Sequence, residues 1–219
     1  MSVCPDPQCG KEYEEIGIHW SRWEDHRPSF TQNQLDIIKG LLMGDGHLTR
    51  KTVRPKVTVS MTNKEYLEHL LDIFGILSTS VSQVESEHSD VWHWATRSHH
   101  ELEQFKTWYT DEGKVWPQEL DMNKTILTHW YCGDGYFDTS HTNKRVRISL
   151  NNEFGNESKV RSYFENTDVP VFDVWDETVG DNYANCEIRW YKQSLDNLFD
   201  ALLDPVPGFE YKWPRGEYQ

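Results

Sequence analysis

The 219-residue chain is poor in the features that mark several common classes. No apolar run is long enough to span a bilayer, and the N-terminus has no signal-peptide pattern, so a soluble cytoplasmic protein is expected. Cysteine is scarce. Four in a chain of this length do not build a disulfide scaffold, and the spacing of the first two points to metal instead. Basic residues are the third shortage: 22 Lys and Arg against 36 Asp and Glu leave a formal net charge of −14. Phosphate neutralisation supplies much of the affinity of nucleic-acid binders, so this balance opposes a broadly basic binding surface. It does not exclude a local basic face on an acidic body. The acidic excess also suits a high-salt cytoplasm, such as that of a halophilic archaeon or its virus. That source would show as loss of structure or activity when salt is lowered. Aromatic residues, by contrast, are plentiful: ten Trp, ten Tyr and nine Phe can fill one large core or two small ones.

Two stretches organise the rest. Ile38 to Gly46 reads I-K-G-L-L-M-G-D-G, an apolar helical segment with small residues at Gly40 and Gly44, ending on Asp45 and Gly46. Gly46 is read as a helix stop in the left-handed conformation. A carboxylate at a helix C-terminus faces the negative end of the macrodipole, a cost that a bound cation would remove. Leu127 to Gly135 reads L-T-H-W-Y-C-G-D-G and ends the same way, on Asp134 and Gly135. The acids lie 134 − 45 = 89 residues apart, and the strand-like runs from Val57 and Val146 share that offset, 146 − 57 = 89. A duplicated unit is expected, with its two acids meeting.

These residues resemble the LAGLIDADG homing endonucleases over about residues 29 to 219. Both stretches fit the family nonapeptide at its small-Asp-Gly end. The first keeps Gly40 and Leu41; the second has His129 and Trp130 there, so its helix contact should be bulkier. The resemblance implies an α/β (α+β) fold of two pseudo-symmetric α-β-β-α-β-β-α halves, 29–121 and 122–219, in one monomeric chain. It further implies motif helices packed side by side, with Asp45 and Asp134, next to Gly44 and Gly133, holding catalytic magnesium. The activity implied is a staggered double-strand break at a specific DNA site. Lys114 matches the position of a catalytic lysine in one branch of the family; Lys212 rests on the echo of Lys114-Val-Trp-Pro by Lys212-Trp-Pro. Relatives that do not cleave, intron RNA maturases and transcriptional regulators, are the alternative. They often lose one or both acids, and both are present here.

The remaining order follows from pattern. Residues 1–28 carry Cys4, Cys9, His19 and His26 as Cys-x4-Cys-x9-His-x6-His, donors suited to tetrahedral zinc, although the spacings depart from the commonest finger. Ser29 or Thr31 can cap the first motif helix. Arg54, Lys56, Thr58 and Ser60 then alternate with Pro55, Val57, Val59 and Met61, the period of a half-buried strand. A helix is expected over 63–74 and ends at Gly75. Strands follow near 76–84 and 91–97, and a helix over 100–109. After the second motif, Lys144, Arg145, Arg147 and Ser149 repeat the basic strand. A helix near 157–164, strands near 169–175 and 184–191, and a helix over 194–203 complete the chain.

The chemistry is consistent with this order. Phosphodiester hydrolysis needs an activated water and charge relief at phosphorus, which divalent ions held by carboxylates provide, and magnesium needs few such ligands. A lysine, Lys114 or Lys212, can steady the developing charge. Arg50, Lys51, Arg54 and Lys56 in one half, and Lys144, Arg145 and Arg147 in the other, offer donors to base edges and phosphates of double-stranded DNA, with Arg97 and Arg189 extending the faces.

Overall fold

The computed structural model describes residues 2–3, 12–13, 27–50, 54–84, 90–138, 144–153, 155–178 and 184–213. The expected zinc ligands Cys4, Cys9, His19 and His26, and also Lys51, lie outside these residues. Strands β1 (Ser2–Val3) and β2 (Glu12–Tyr13) pair antiparallel. Next come α1 (Gln32–Met43), β3 (His47–Leu48), β4 (Val57–Met61), α2 (Lys64–Phe74), β5 (Ser82–Val84), β6 (Val91–Ala95) and a 3-10 helix, His100–Trp108. The same order then recurs as α3 (Lys124–Asp134), β7 (Gly135–Asp138), β8 (Arg145–Ser149), α4 (Glu157–Ser162), β9 (Asp173–Thr178), β10 (Ala184–Tyr191) and α5 (Leu195–Ala201). Each repeat builds a four-stranded antiparallel sheet, ordered β3-β4-β6-β5 and β7-β8-β10-β9. The mixed α+β class is therefore as expected. No helix among the described residues is long and apolar enough to cross a membrane. The chain divides into two compact units, 1–35 with 47–106, and 36–46 with 107–219. The body of α1 and its Asp-Gly turn thus group with the second half of the chain.

In the first unit, Thr31 caps α1 through a reciprocal box. Its Oγ1 accepts from Gln34 N at 3.2 Å, while Gln34 Oε1 accepts from Thr31 N at 2.9 Å. Thr31→Ala is expected to lower stability by about 1 kcal/mol, read as a shift in chemical denaturation. Asn63 caps α2 by accepting from Tyr66 N, and Gly75 ends it at φ +48°, a conformation that favours glycine. Alternation in β4 buries Val57 and Val59 against Trp94, whose ring meets Phe74 edge-on at 5.0 Å.

Two sequence expectations change here. The span 76–84 begins as a 3-10 turn, Gly75–Leu77, and becomes strand only at Ser82–Val84. The segment 100–109 is a 3-10 helix rather than an α-helix. The reason is legible: the buried residues Leu102, Phe105 and Trp108 recur every third position, which lines one face of a three-residue turn.

In the second unit, α3 is the central element, with Ile126 through Cys132 all buried. Asn123 caps it by accepting from Ile126 N at 3.0 Å and donates to the buried carboxylate of Asp36 at 2.9 Å. Trp116 stacks edge-on against Trp130 and Trp213 against Tyr131, so the two Trp-Pro segments seen in the sequence both brace this one helix. Val146, Ile148, Ile188 and Trp190 form the buried side of the sheet.

Candidate functional site

The two motif segments meet at their glycines. A Cβ at Gly40 would lie 2.5 Å from the Ile126 carbonyl oxygen and 2.8 Å from His129 Cβ, so the bulk of the second motif is taken up where the first has no side chain. One turn on, Gly44 and Gly133 face each other, with a Gly44 Cβ 3.5 Å from Gly133 Cα and a Gly133 Cβ 3.6 Å from Asp45 Oδ2. The approach that small residues predicted is present, and it carries both acids into one cluster.

The first of the glycines after the acids acts differently from expectation. Gly46 is not in the left-handed region: the described glycines with positive φ are Gly75, Gly113, Gly155 and Gly208. What excludes a side chain there is crowding, since a Cβ would sit 2.5 Å from the Leu41 carbonyl oxygen that accepts the Gly46 N–H at 2.7 Å. Gly135 is extended, at φ −82° and ψ 148°, and a Cβ would collide with the ring and carbonyl of Tyr131.

Each motif end is closed by a lysine. Lys114 Nζ donates to the carbonyls of Gly44 at 2.8 Å and Gly46 at 2.9 Å. Lys212 Nζ donates to Cys132 and Gly135, both at 2.7 Å, and to Tyr131 at 3.3 Å. Gly46 and Gly135 are separated by 135 − 46 = 89 residues, so each lysine closes on the glycine after its acid; the other partners are out of register, since Gly44 corresponds to 44 + 89 = 133 and Lys212 bonds Cys132 and Tyr131 instead. The two lysines supply part of the positive charge that helix C-termini favour. A tight turn presents Lys114: Thr110 N donates to the Gly113 carbonyl at 2.8 Å, Val115 N donates to the Trp108 carbonyl at 2.8 Å, and Gly113 takes φ +146°. Lys212 sits in a 3-10 turn, Glu210–Lys212, and is only 7% exposed; Tyr131 Oη donates to its carbonyl at 2.7 Å. Lys212→Met takes a donor from the buried carbonyls of Cys132 and Gly135, while that of Tyr131 still accepts from Gly135 N, and an unfolding loss of about 2 kcal/mol is expected in urea titrations. Lys114, less buried, is expected to cost less.

The charges are mutually felt. Asp134 is pushed up to about 7, first by burial and then by the Asp45 carboxylate, with Lys114 and Lys212 pulling the other way. The Trp130 indole N–H also favours the ionised form of Asp134, although it falls short of hydrogen-bond geometry. Burial lowers both lysines from their ordinary value while the two acids raise them, Asp134 acting more than Asp45 on Lys114, and Cys132, Asp45 and Asp134 in that order on Lys212. The carboxylate donors are all oxygen, and two of them close enough for Asp45 to raise the proton affinity of Asp134 form a site that suits a hard divalent cation.

The sheet faces are less uniform than the sequence suggested. In the first sheet, Thr58 and Ser60 alternate with buried Val57 and Val59, and Ser60 Oγ bonds His93 Nδ1 at 3.0 Å. Lys56 and Arg54 are half-buried and Arg50 is exposed, while Arg97 Nε donates to the Ile76 carbonyl at 3.0 Å. In the second sheet, Lys144, Arg145 and Arg147 are half-buried, and Arg189 is buried, with its guanidinium 3.8 Å over the Trp175 ring. Asp138 and Glu187, which hold these arginines, escaped the sequence reading, as did Tyr131 and Trp130. Alternation along Gly-Tyr136-Phe-Asp138 could have placed Asp138 beside Arg145, but nothing in the sequence pairs Glu187 with Arg147.

A family model described as "LAGLIDADG DNA endonuclease family" matches residues 35–167. Among solved structures, "the homing endonuclease I-WcaI bound to its DNA recognition sequence" is similar at 14% identity and a TM-score of 0.71, covering 94% of this chain and 95% of that one. Weaker likenesses are the N-terminal LAGLIDADG domain of WhiA, at 13% identity, a TM-score of 0.47 and coverage of 80% and 86%, and the meganuclease I-SmaMI bound to uncleavable DNA, at 12%, 0.45 and coverage of 76% and 81%. A comparison with curated proteins gives no match.

Proposed function

The chain belongs to the LAGLIDADG DNA endonuclease family, and from that premise we propose that it is a site-specific, magnesium-dependent endonuclease that cuts both strands of a DNA duplex. The observation that supports this reading is the close meeting of the two motif ends, where a Cβ on Gly133 would lie 3.6 Å from Asp45 Oδ2 and the charges of Asp45 and Asp134 both act on Lys114 and on Lys212. Magnesium held by Asp45 and Asp134, beside Gly44 and Gly133, would supply Lewis-acid activation of the attacking water and charge relief at the phosphate. Lys114 and Lys212 tie down the backbone that carries the acids and hold positive charge beside them, so little reorganisation is needed as charge develops. The repeats 29–121 and 122–219 each read one half of the target, the chain acting as a monomer. Cys4, Cys9, His19 and His26 would hold one structural zinc; elemental analysis should find one equivalent, lost in Cys4→Ser.

Cleavage of a plasmid library in magnesium, with sequencing of the ends, tests the activity. Defined staggered ends at recurring sites support it. Sequence-selective binding with no cutting under any divalent metal would transfer the chain to the non-cleaving binders on this scaffold.

A further inference from the structure

The solvent side of the second sheet is a charge-balanced array. Strand register sets Tyr136, Arg147, Arg189 and Asp173 in one row, with Asp138 opposite Arg145 and Glu187 opposite Ser149 and Trp175 in the flanking rows. Glu187 stands at the centre. Its Oε1 accepts from Arg147 Nη1 at 3.2 Å, and its Oε2 accepts from Arg189 Nε and Nη2, both at 2.9 Å. Asp138 takes Arg145 through Nε at 3.1 Å and Nη2 at 3.0 Å, and lies 3.8 Å from Arg147 Nη2. Each guanidinium therefore has a carboxylate partner, and those of Arg147 and Arg189 also face an aromatic ring, Tyr136 at 5.1 Å and Trp175 at 3.8 Å. Of the three side chains, that of Arg147 is the most open, at 27% exposure against 19% for Arg145 and 9% for Arg189.

Resting on the DNA-binding reading above, we propose that Glu187 is a positioning residue that holds Arg147 as a guanine-reading fork on a face with almost no general attraction for phosphate. A free surface arginine spends its charge on any nearby phosphate, and such contacts carry no sequence information. With the Nε of Arg147 buried, a guanidinium balanced by a buried carboxylate keeps the outward N–H donors of its two terminal nitrogens but loses most of its long-range pull. A guanine edge, with two acceptors matched to that fork, is then favoured over other partners. This arrangement also accommodates the −14 net charge, because selectivity on this face does not depend on a basic field.

The test is selection of bound duplexes from a randomised library by the full chain without divalent metal, together with the salt dependence of binding. The wild type should select guanine at one position. Glu187→Gln should weaken that preference about tenfold and steepen the log–log salt slope by about 0.9, the amount for one added phosphate contact. Arg147→Lys should lose the same preference with the slope unchanged, since it keeps the charge and loses the fork. A purely structural role for Glu187 would lower the melting temperature and leave preference and slope alone, and that result overturns the proposal. Should Glu187→Gln fail to fold, Arg147→Lys decides: an unaltered preference refutes the assignment. A wild type that selects no duplex sequence removes the DNA-binding reading itself, and this proposal with it.

Discussion

Asp45→Asn and Asp134→Asn should each reduce magnesium-dependent cutting by ~10³-fold or more while leaving duplex affinity within about threefold, because on the proposed function each removes a charge that would hold metal and no base-reading group. Gel cleavage and binding assays on the same preparations check this, and robust metal-dependent cleavage by the double variant would defeat the assignment. The two substitutions should part company in stability. Asp134 is a carboxyl group raised from 3.8 to about 7 by burial and by Asp45. Between those values the folded chain holds a proton that the unfolded chain has released. Stability therefore falls as pH climbs through that window and levels off above about 7. Asn at 134 has nothing to titrate. In chelator at pH 8 the Asp134→Asn protein should be the more stable by roughly 2 kcal/mol, a figure kept well below the full shift because the side chain is partly solvated, and the gain should vanish near pH 4. Melting curves at the two pH values decide; a variant less stable than wild type at pH 8 would show that the ionised carboxylate is well satisfied.

Gly40→Val should be the most damaging single change to the fold. The obstacles to a Cβ there are the Ile126 carbonyl oxygen at 2.5 Å and the Trp130 amide nitrogen at 3.1 Å, both backbone, so no rotamer change relieves them. The helices must separate, at a cost of roughly 3 kcal/mol or more. Gly44→Ala is the matched control. Its Cβ would meet neighbours at 3.5 to 3.7 Å, ordinary contact, and a change within about 0.5 kcal/mol is expected. Equal losses in the two variants, measured by urea unfolding, would mean that the close approach is not what holds the motif segments together.

The sequence carried the architecture well because it was written twice. The shared offset of 89 located both acids and both basic strands, and alternation in β4 and β8 assigned their buried faces correctly. It failed where local signals overlap. The 100–109 segment has enough helical character to pass for an α-helix, and only its three-residue spacing distinguishes it. At the site, the sequence singled out both lysines, one by family resemblance and one by an internal echo. What they bond to could not be read, since backbone carbonyls leave no trace in side-chain identity. The arginines of the second sheet were visible as a basic cluster, but their neutralisation depends on Glu187 from a strand 40 residues away from Arg147, a pairing that register alone reveals.

The lysine clamps bear on how such a chain decays. Losing Asp134 removes a carboxylate that burial and Asp45 both disfavour in its ionised form, so drift toward a silent descendant is downhill for folding. Losing Lys212 takes a donor from the main-chain oxygens of Cys132 and Gly135, and selection for a folded product alone will resist it. Lineages that have abandoned cutting should therefore keep the amines long after the carboxylates are gone, a fossil signature that outlives the chemistry.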